Sequence, residues 1–194
     1  MGDRMIGTTW MQTFTGKRVD PLNMRPEDID ILDIAQALGN ICRFGGHTRR
    51  FYSVAEHSLE VANLVSNKAK LPALLHDAQE AYIGDIIRPI KGSLSIPKLA
   101  GYHTDISIHE IEDHIRWQME IALGFKYESA RDEIIKADDI MLATEGQFFM
   151  GSIEGWNLAE QPKEKFSPAM YDPHLAMLMF LATYRSLGGK GVSL

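Results

Sequence analysis

The sequence predicts an all-helical bundle with a small hairpin near its N-terminal end. Three observations carry this. Several long stretches repeat apolar residues at helical spacing. Ser, Asp or Pro precedes most of those stretches, and Gly follows them. The alternation that marks strands is confined to one short run near the start. With 194 residues, 45% of them hydrophobic and 24% charged, the chain can bury one core, so a single domain over 1–194 is expected.

The elements follow in order. Residues 8–20 alternate weakly around Gly16 and predict the hairpin. "NMRPEDIDILDIAQALGN" predicts a helix, started by Pro26 and its acidic neighbours and stopped by Gly39–Asn40. "ICRFGGHTRRFY" is a loop with paired glycines. "SVAEHSLEVANLV" is a helix, with Ser53 and Glu56 as a capping box. A further helix runs from about Leu71 to Tyr82. "GDIIRPIKGSLSIPKLAG" is a connection punctuated by Gly and Pro. A long helix ends at Gly124, and another spans about Glu128 to Met150. Residues 151–168 read as an irregular surface loop, and "AMYDPHLAMLMFLATYRSL" as a last helix stopped by Gly188–Gly189. No internal repeat or low-complexity tract occurs.

Composition narrows the function classes. The net charge of −6 argues against a broad nucleic-acid surface but permits a local basic pocket. The single cysteine, Cys42, rules out an intrachain disulfide and reads as a small packing residue. The first residues lack a continuous apolar run, and no run reaches the length of a membrane span. The expectation is a cytoplasmic protein with no membrane partner.

Helical wheels locate the chemistry, since each residue turns about 100°. On the helix from Leu71, the residues Leu71, Leu74, Leu75, Ala78, Ala81 and Tyr82 form an apolar arc. His76, Asp77 and Glu80 fall opposite, beside the small Ala73. That arc is either a solvated face or a set of ligand and acid/base groups. On the capped helix, His57 lies at the edge of the stripe Val54, Val61, Leu64 and Val65 and points inward, as a hydrogen-bonded core residue or as a ligand. On the helix from Glu128, Ile134, Met141, Phe148 and Phe149 define the apolar face. Asp138 and Glu145 sit inside that face, and Asp139 turns away. A buried carboxylate requires a partner cation.

His57, His76, Asp77 and Asp138 therefore fit one site. Two imidazoles and two carboxylates suit a divalent transition metal (Zn, Mn, Co, Fe or Ni), with Mg ranked lower. Such an ion lowers the pKa of water. Glu80, one turn from His76, is placed to orient or deprotonate that water or to protonate a leaving group. Asp85 offers a supporting hydrogen bond or a second metal ligand, or simply closes the turn in "IGDI". Arg43, His47, Arg49, Arg50, Arg88 and Lys91 flank these residues and suit a small polyanion; some of them serve surface solubility instead. Arg43 has an alternative partner in Glu145. His103, His109 and His114 read as surface or structural, and Trp117 and Met119 as core.

The set "AEHS", "LLHD" with a Glu three residues on, and the distant Asp of "KADDIMLATE" resembles the HD-domain metal-dependent phosphohydrolases. The pattern spans residues 41–150. It is most similar to small 5′-deoxynucleotidases and to phage enzymes that release triphosphate from dATP. The resemblance implies an HD-type helical bundle with His57, His76, Asp77 and Asp138 as metal ligands. It implies a catalytic Glu80, a phosphate or leaving-group role for Asp85, and phosphate or sugar binding by Arg43. Phe44 stands where a Trp commonly stacks near the base, and "GGHTRR" departs from the nucleotidase loop, so Arg49 and Arg50 could reach further phosphates. The implied substrates are deoxynucleotides, dNMP or dNTP with dATP in front, bound by a homo-oligomer. Two alternatives are a signalling-nucleotide phosphohydrolase and a non-catalytic, metal-stabilised nucleotide-binding protein.

Overall fold

The computed structural model describes residues 10–97 and 105–191. These residues are mostly helical, with two very small sheets among them. The expected hairpin forms from β1 (Met11–Gln12) and β2 (Arg18–Val19), paired antiparallel. Gly16 turns between them at φ 88°, a region that favours glycine.

The first helix starts later than its Pro and acidic residues suggest. Pro26–Asp28 form only a 3-10 turn, and α1 (Ile31–Asn40) begins after Asp30, whose side chain accepts from the Leu32 amide. Gly39 lies within α1 rather than beyond it. Its lack of a side chain lets α1 approach α8 (Pro173–Ser186): a Cβ there would sit 2.7 Å from the Pro173 carbonyl oxygen. The Ser53 hydroxyl caps α2 (Val54–Leu64) by accepting from the Glu56 amide, so that boundary is as expected. The Glu56 carboxylate does not complete the box. It is buried and accepts from the amides of Met170 and Tyr171, fastening the loop before α8 onto α2.

The helix expected over 71–82 is broken. The chain forms α3 (Lys70–Leu74), then turns, then α4 (Glu80–Ile83). Across the break the amides of His76, Ala78, Glu80, Ala81 and Tyr82 bond to carbonyls three residues back, which tightens the chain relative to an α-helix. His76 and Glu80 are consequently buried along with Leu74, Leu75 and Ala78, so their side of the chain is no solvated face.

The connection that follows holds α5 (Arg88–Lys91) and β3 (Ser95–Ile96), which pairs with β4 (Ile106–Ser107). Residues 98–104, with His103 among them, lie outside the described residues. The helix α6 (Ile108–Leu123) is bounded by a Ser107–Glu110 capping box and by Gly124 in the left-handed region. It buries Ile111, Ile115 and Met119 but leaves Trp117 58% exposed, so Trp117 is a surface residue and not core. His114 is half-buried on the Met24 carbonyl, and His109 meets Glu112.

The helix expected over 128–150 is α7 (Arg131–Glu145), continued by a π-helical turn, Gly146–Met150. That wider turn shifts the register, so Phe149 is buried while Phe148 is 43% exposed. Leu64, at the end of α2, is also exposed. Residues 151–168 are irregular, as expected, but so are 169–172: the last helix begins only at Pro173, after Asp172 caps it by accepting from the Leu175 amide. Buried side chains from Val19 to Tyr184 form one hydrophobic cluster, in which α1 lies along α8 and α2 packs against α3, α7 and α8.

Candidate metal centre

α2, the α3–α4 break and α7 converge on one polar cluster within this apolar core. His57, on the second turn of α2, is fully buried. Its Nδ1 lies 2.7 Å from Glu145 Oε1 at the end of α7. A carboxylate only accepts, so Nδ1 donates and Nε2 faces inward. His76 is built the same way: its Nδ1 donates to the Ala73 carbonyl at 2.8 Å, a bond formed because the chain tightens there. The two Nε2 atoms are 3.3 Å apart. Asp138 Oδ1 lies 3.2 Å from His57 Nε2 and 3.9 Å from His76 Nε2. Asp77 Oδ2 lies 3.1 Å from His76 Nε2 and 3.5 Å from His57 Nε2.

This geometry fits a cation. His57, His76 and Asp138 each offer an atom within 4.8 Å of the others and could hold a metal ion. Donors bound at about 2.0–2.2 Å to one ion sit roughly 3 Å from each other, which is the spacing seen here. Fixing the outer ring nitrogen to an acceptor is how proteins orient imidazole ligands.

Glu145 anchors the cluster. Its carboxylate is fully buried and also accepts from Arg43 Nε at 2.9 Å and from the Tyr52 hydroxyl at 3.0 Å. The cation demanded by a carboxylate on this face is thus Arg43, which is itself buried. Arg43 Nη1 stands 3.8 Å from Asp77 Oδ2. Of the residues in the cluster, Tyr52 and the Ala73 carbonyl carried no signal in the sequence: one is an aromatic beside a cap, the other a backbone group.

The charges respond to one another. Burial and Arg43 push the His57 imidazole down, but Glu145 and a hydrogen bond to Asp138 prevail and lift it to about 9. Burial pushes Asp138 up, yet the hydrogen bond and charge of His57 bring it to about 2. Asp77 is likewise held below the carboxylate range against burial, chiefly by His76. Glu145 is lowered by Arg43 and His57, again against burial.

Glu80 behaves oppositely. Burial first, then Asp77 and Asp85, raise it well above the ordinary range, and among the described residues its Oε2 has no hydrogen-bond partner. Asp85 is raised too, mainly by burial and opposed by Arg43.

Chain comparisons give no activity. No family model matches this sequence. It is 42% identical over 102 residues to "Uncharacterized protein YfdR" of Escherichia coli (strain K12), covering 53% of this chain and 57% of that protein. It is 42% identical over 94 residues to "Uncharacterized protein RCAP_rcc00048" of Rhodobacter capsulatus, covering 44% of this chain and 48% of that protein. The matched stretch thus spans about half the length of these curated relatives.

The flanking cations divide into two groups. Exposed Arg88 bridges Asp138 Oδ2 at 3.3 Å and Asp139 Oδ1 at 3.1 Å, so Asp139 turns toward the same guanidinium rather than away. Lys91 is half-buried, with Nζ 2.7 Å from Glu112 Oε1. Burial lowers its pKa, but Glu112, and more weakly Glu80 and Asp77, raise it on balance. His47, Arg49 and Arg50 are exposed on the loop before α2. Arg49 lies over Gly151, where a Cβ would sit 2.6 Å from Nη2, and Arg50 Nη1 approaches Met170 Sδ at 3.8 Å. Phe44 is partly exposed with φ 56°, a strained value for a side chain of its bulk. Among the described residues no helix is long and apolar enough to cross a membrane.

Proposed function

We propose that this chain is an HD-type, metal-dependent phosphohydrolase that cleaves the 5′ phosphoester of deoxynucleotides. The observation that supports it most is the pair of imidazoles whose Nδ1 atoms are both tied outward, aiming two Nε2 atoms beside Asp138 and Asp77. A divalent transition metal (Zn, Mn, Co, Fe or Ni) held by His57, His76, Asp77 and Asp138 supplies Lewis acidity toward a phosphoryl oxygen and acidifies water.

Hydrolysis adds a water oxygen to phosphorus and breaks the bond from phosphorus to the sugar O5′, which leaves as an alcohol after gaining a proton. Glu80 is the donor of that proton: burial beside Asp77 and Asp85 favours its protonated form. Arg43, engaged by Glu145, orients Asp77. The exposed His47, Arg49, Arg50 and Arg88 are left to meet the phosphates, and Lys91 lies near the acidic groups. A dNTP gives deoxynucleoside plus triphosphate, with dATP the first candidate, and a dNMP gives deoxynucleoside plus phosphate. The reading includes self-association through α8, which exposes Leu175, Leu178 and Met179. Sedimentation of the wild type and of Leu178→Glu tests that part.

The activity test is product analysis. Mn- or Co-loaded protein is incubated with dNMPs and dNTPs, and products are separated by ion exchange. Deoxynucleoside with phosphate, or with intact triphosphate, is the expected result. Nucleotide binding by metal-replete protein without turnover would replace this reading with a non-catalytic binder.

A further inference from the structure

We infer that Trp156, on the irregular loop after α7, stacks against the ring of the substrate's base and, with Phe44, makes the rim of the site selective for a nucleobase. The inference rests on the phosphohydrolase reading for the identity of the ligand. Its structural support comes from residues outside the metal cluster.

Two sequence neighbours of the buried ion pair carry the rim. Arg43 and Glu145 are joined at 2.9 Å deep in the site. The residue after Arg43 is Phe44, and the residue after Glu145 is Gly146. Phe44 lies over Arg43, with the guanidinium carbon 5.5 Å from its ring centroid. Gly146 is covered by Trp156: a Cβ at 146 would sit 2.8 Å from the indole Cζ3 and 2.8 Å from Ile153 Cγ2. Only a glycine admits the indole so close to the end of α7. The two rings then meet, with centroids 6.1 Å apart and planes inclined at 47°. An aromatic pair therefore stands directly outside the Arg43–Glu145 pair, and both rings keep exposed surface.

From Phe44 the contacts continue to the metal cluster. Ile87 Cγ2 lies 3.6 Å from the Cβ position of Gly45, so the turn bearing Phe44 touches the residue before Arg88. Arg88 in turn reaches Asp138. Trp156, Phe44, Ile87 and Arg88 thus form a connected edge that begins with indole and ends with guanidinium. A planar ring joined to a phosphate matches that order, and a bare phosphate does not. Phe44 is held at φ 56°, a strain that structures retain where the surroundings fix it for use. An inclined, partly exposed pair presents a face without filling it, as base-stacking platforms do.

The test uses two readouts. Trp10→Phe with Trp117→Phe leaves Trp156 as the one tryptophan of three. In that protein dAMP is expected to quench the emission, and 2-deoxyribose 5-phosphate is not. In turnover, Trp156→Ala is expected to raise KM for dAMP about tenfold, in line with the usual strength of base–aromatic stacking. KM for 2-deoxyribose 5-phosphate stays unchanged, and Trp156→Phe recovers most of the loss. An equal rise for both compounds, no rise for either, or equal quenching by both would overturn the inference. If the wild type turns over neither of these compounds nor dATP, the phosphohydrolase reading fails, and the fluorescence still decides whether Trp156 meets a base. If it turns over dATP alone, the KM comparison of wild type and Trp156→Ala is made on dATP against inorganic tripolyphosphate as a competing ligand, with the rise expected for dATP only.

Discussion

Three donors meet at Glu145, from Arg43, Tyr52 and His57. Replacing it with Gln keeps the shape but leaves buried Arg43 with only its longer, 3.8 Å pair to Asp77, and breaking buried pairs costs up to about 3–5 kcal/mol. Glu145→Gln should therefore lower the melting temperature, and should weaken metal affinity by about 10–100-fold, the usual effect of losing an imidazole's outer partner. Calorimetry and a metal-competition titration would show both, and unchanged affinity would contradict the anchoring role. Glu80 predicts the reverse pattern. Its charged form is disfavoured by burial, so Glu80→Gln should raise the melting temperature, keep metal, and slow turnover about 10²–10⁴-fold. Turnover at the wild-type rate would remove Glu80 from the chemistry. The site also sets a pH dependence. In metal-free protein His57 is raised to about 9. A base raised on folding adds stability that is complete below its unfolded value, about 6.5, and is lost as pH rises through 9. Asp138, lowered to about 2, acts from the acid side: its contribution holds above about 4 and is lost as pH falls through 2. Thermal melts in EDTA should thus fall between pH 6.5 and 9.5, whereas metal affinity should rise over that range because the His57 proton must leave. A flat melting profile would contradict the raised imidazole.

At the scale of elements, the α3–α4 break shows what helical periodicity could and could not reveal. His57, Asp138 and Glu145 were legible because each is polar within an apolar stripe of a regular helix. Wheel geometry applied to residues 71–82 placed His76, Asp77 and Glu80 together but assumed a spacing that the chain does not keep, since its hydrogen bonds run to the third residue back. The cause is local: Ala73 leaves its carbonyl to the His76 side chain as well as to the His76 amide, which no pattern of apolar residues encodes. The Ser53–Glu56 spacing was read correctly as a cap, yet the Glu56 carboxylate serves a loop more than a hundred residues away. Trp117 was misread because its neighbours on α6 are buried while it stands between their stripes. The α1–α8 contact gives an element-scale prediction. Gly39→Ala gains helix propensity but places a Cβ 2.7 Å from the Pro173 carbonyl. Overpacking of this kind costs about 1–3 kcal/mol, so the melting temperature should drop, and an increase would show that α8 shifts freely.

The whole molecule is held by one core and one polar centre, and the centre draws on three separate elements. A ligand that binds only the folded chain adds stability, about 2.7 kcal/mol at a hundredfold excess over its dissociation constant. Removing metal with EDTA should accordingly lower the melting temperature, reversibly on adding Mn or Co, and the shift should vanish in a His57→Ala variant. An equal shift in that variant would place the metal elsewhere. The fold class was legible at this scale because caps and stripes delimit most helices. The joining of α1 to α8 was not, since apolar faces do not name their partners. That joining also has a consequence in time. On the ribosome, α1 is made first, and its face of Ile34, Ala35 and Leu38 lacks its main cover until roughly 130 more residues have been added. At about 5–20 residues per second, that is an exposure of roughly 7–26 s. During synthesis the nascent chain therefore presents a sticky apolar helix to the cell's chaperones well before its last helix arrives to close the bundle.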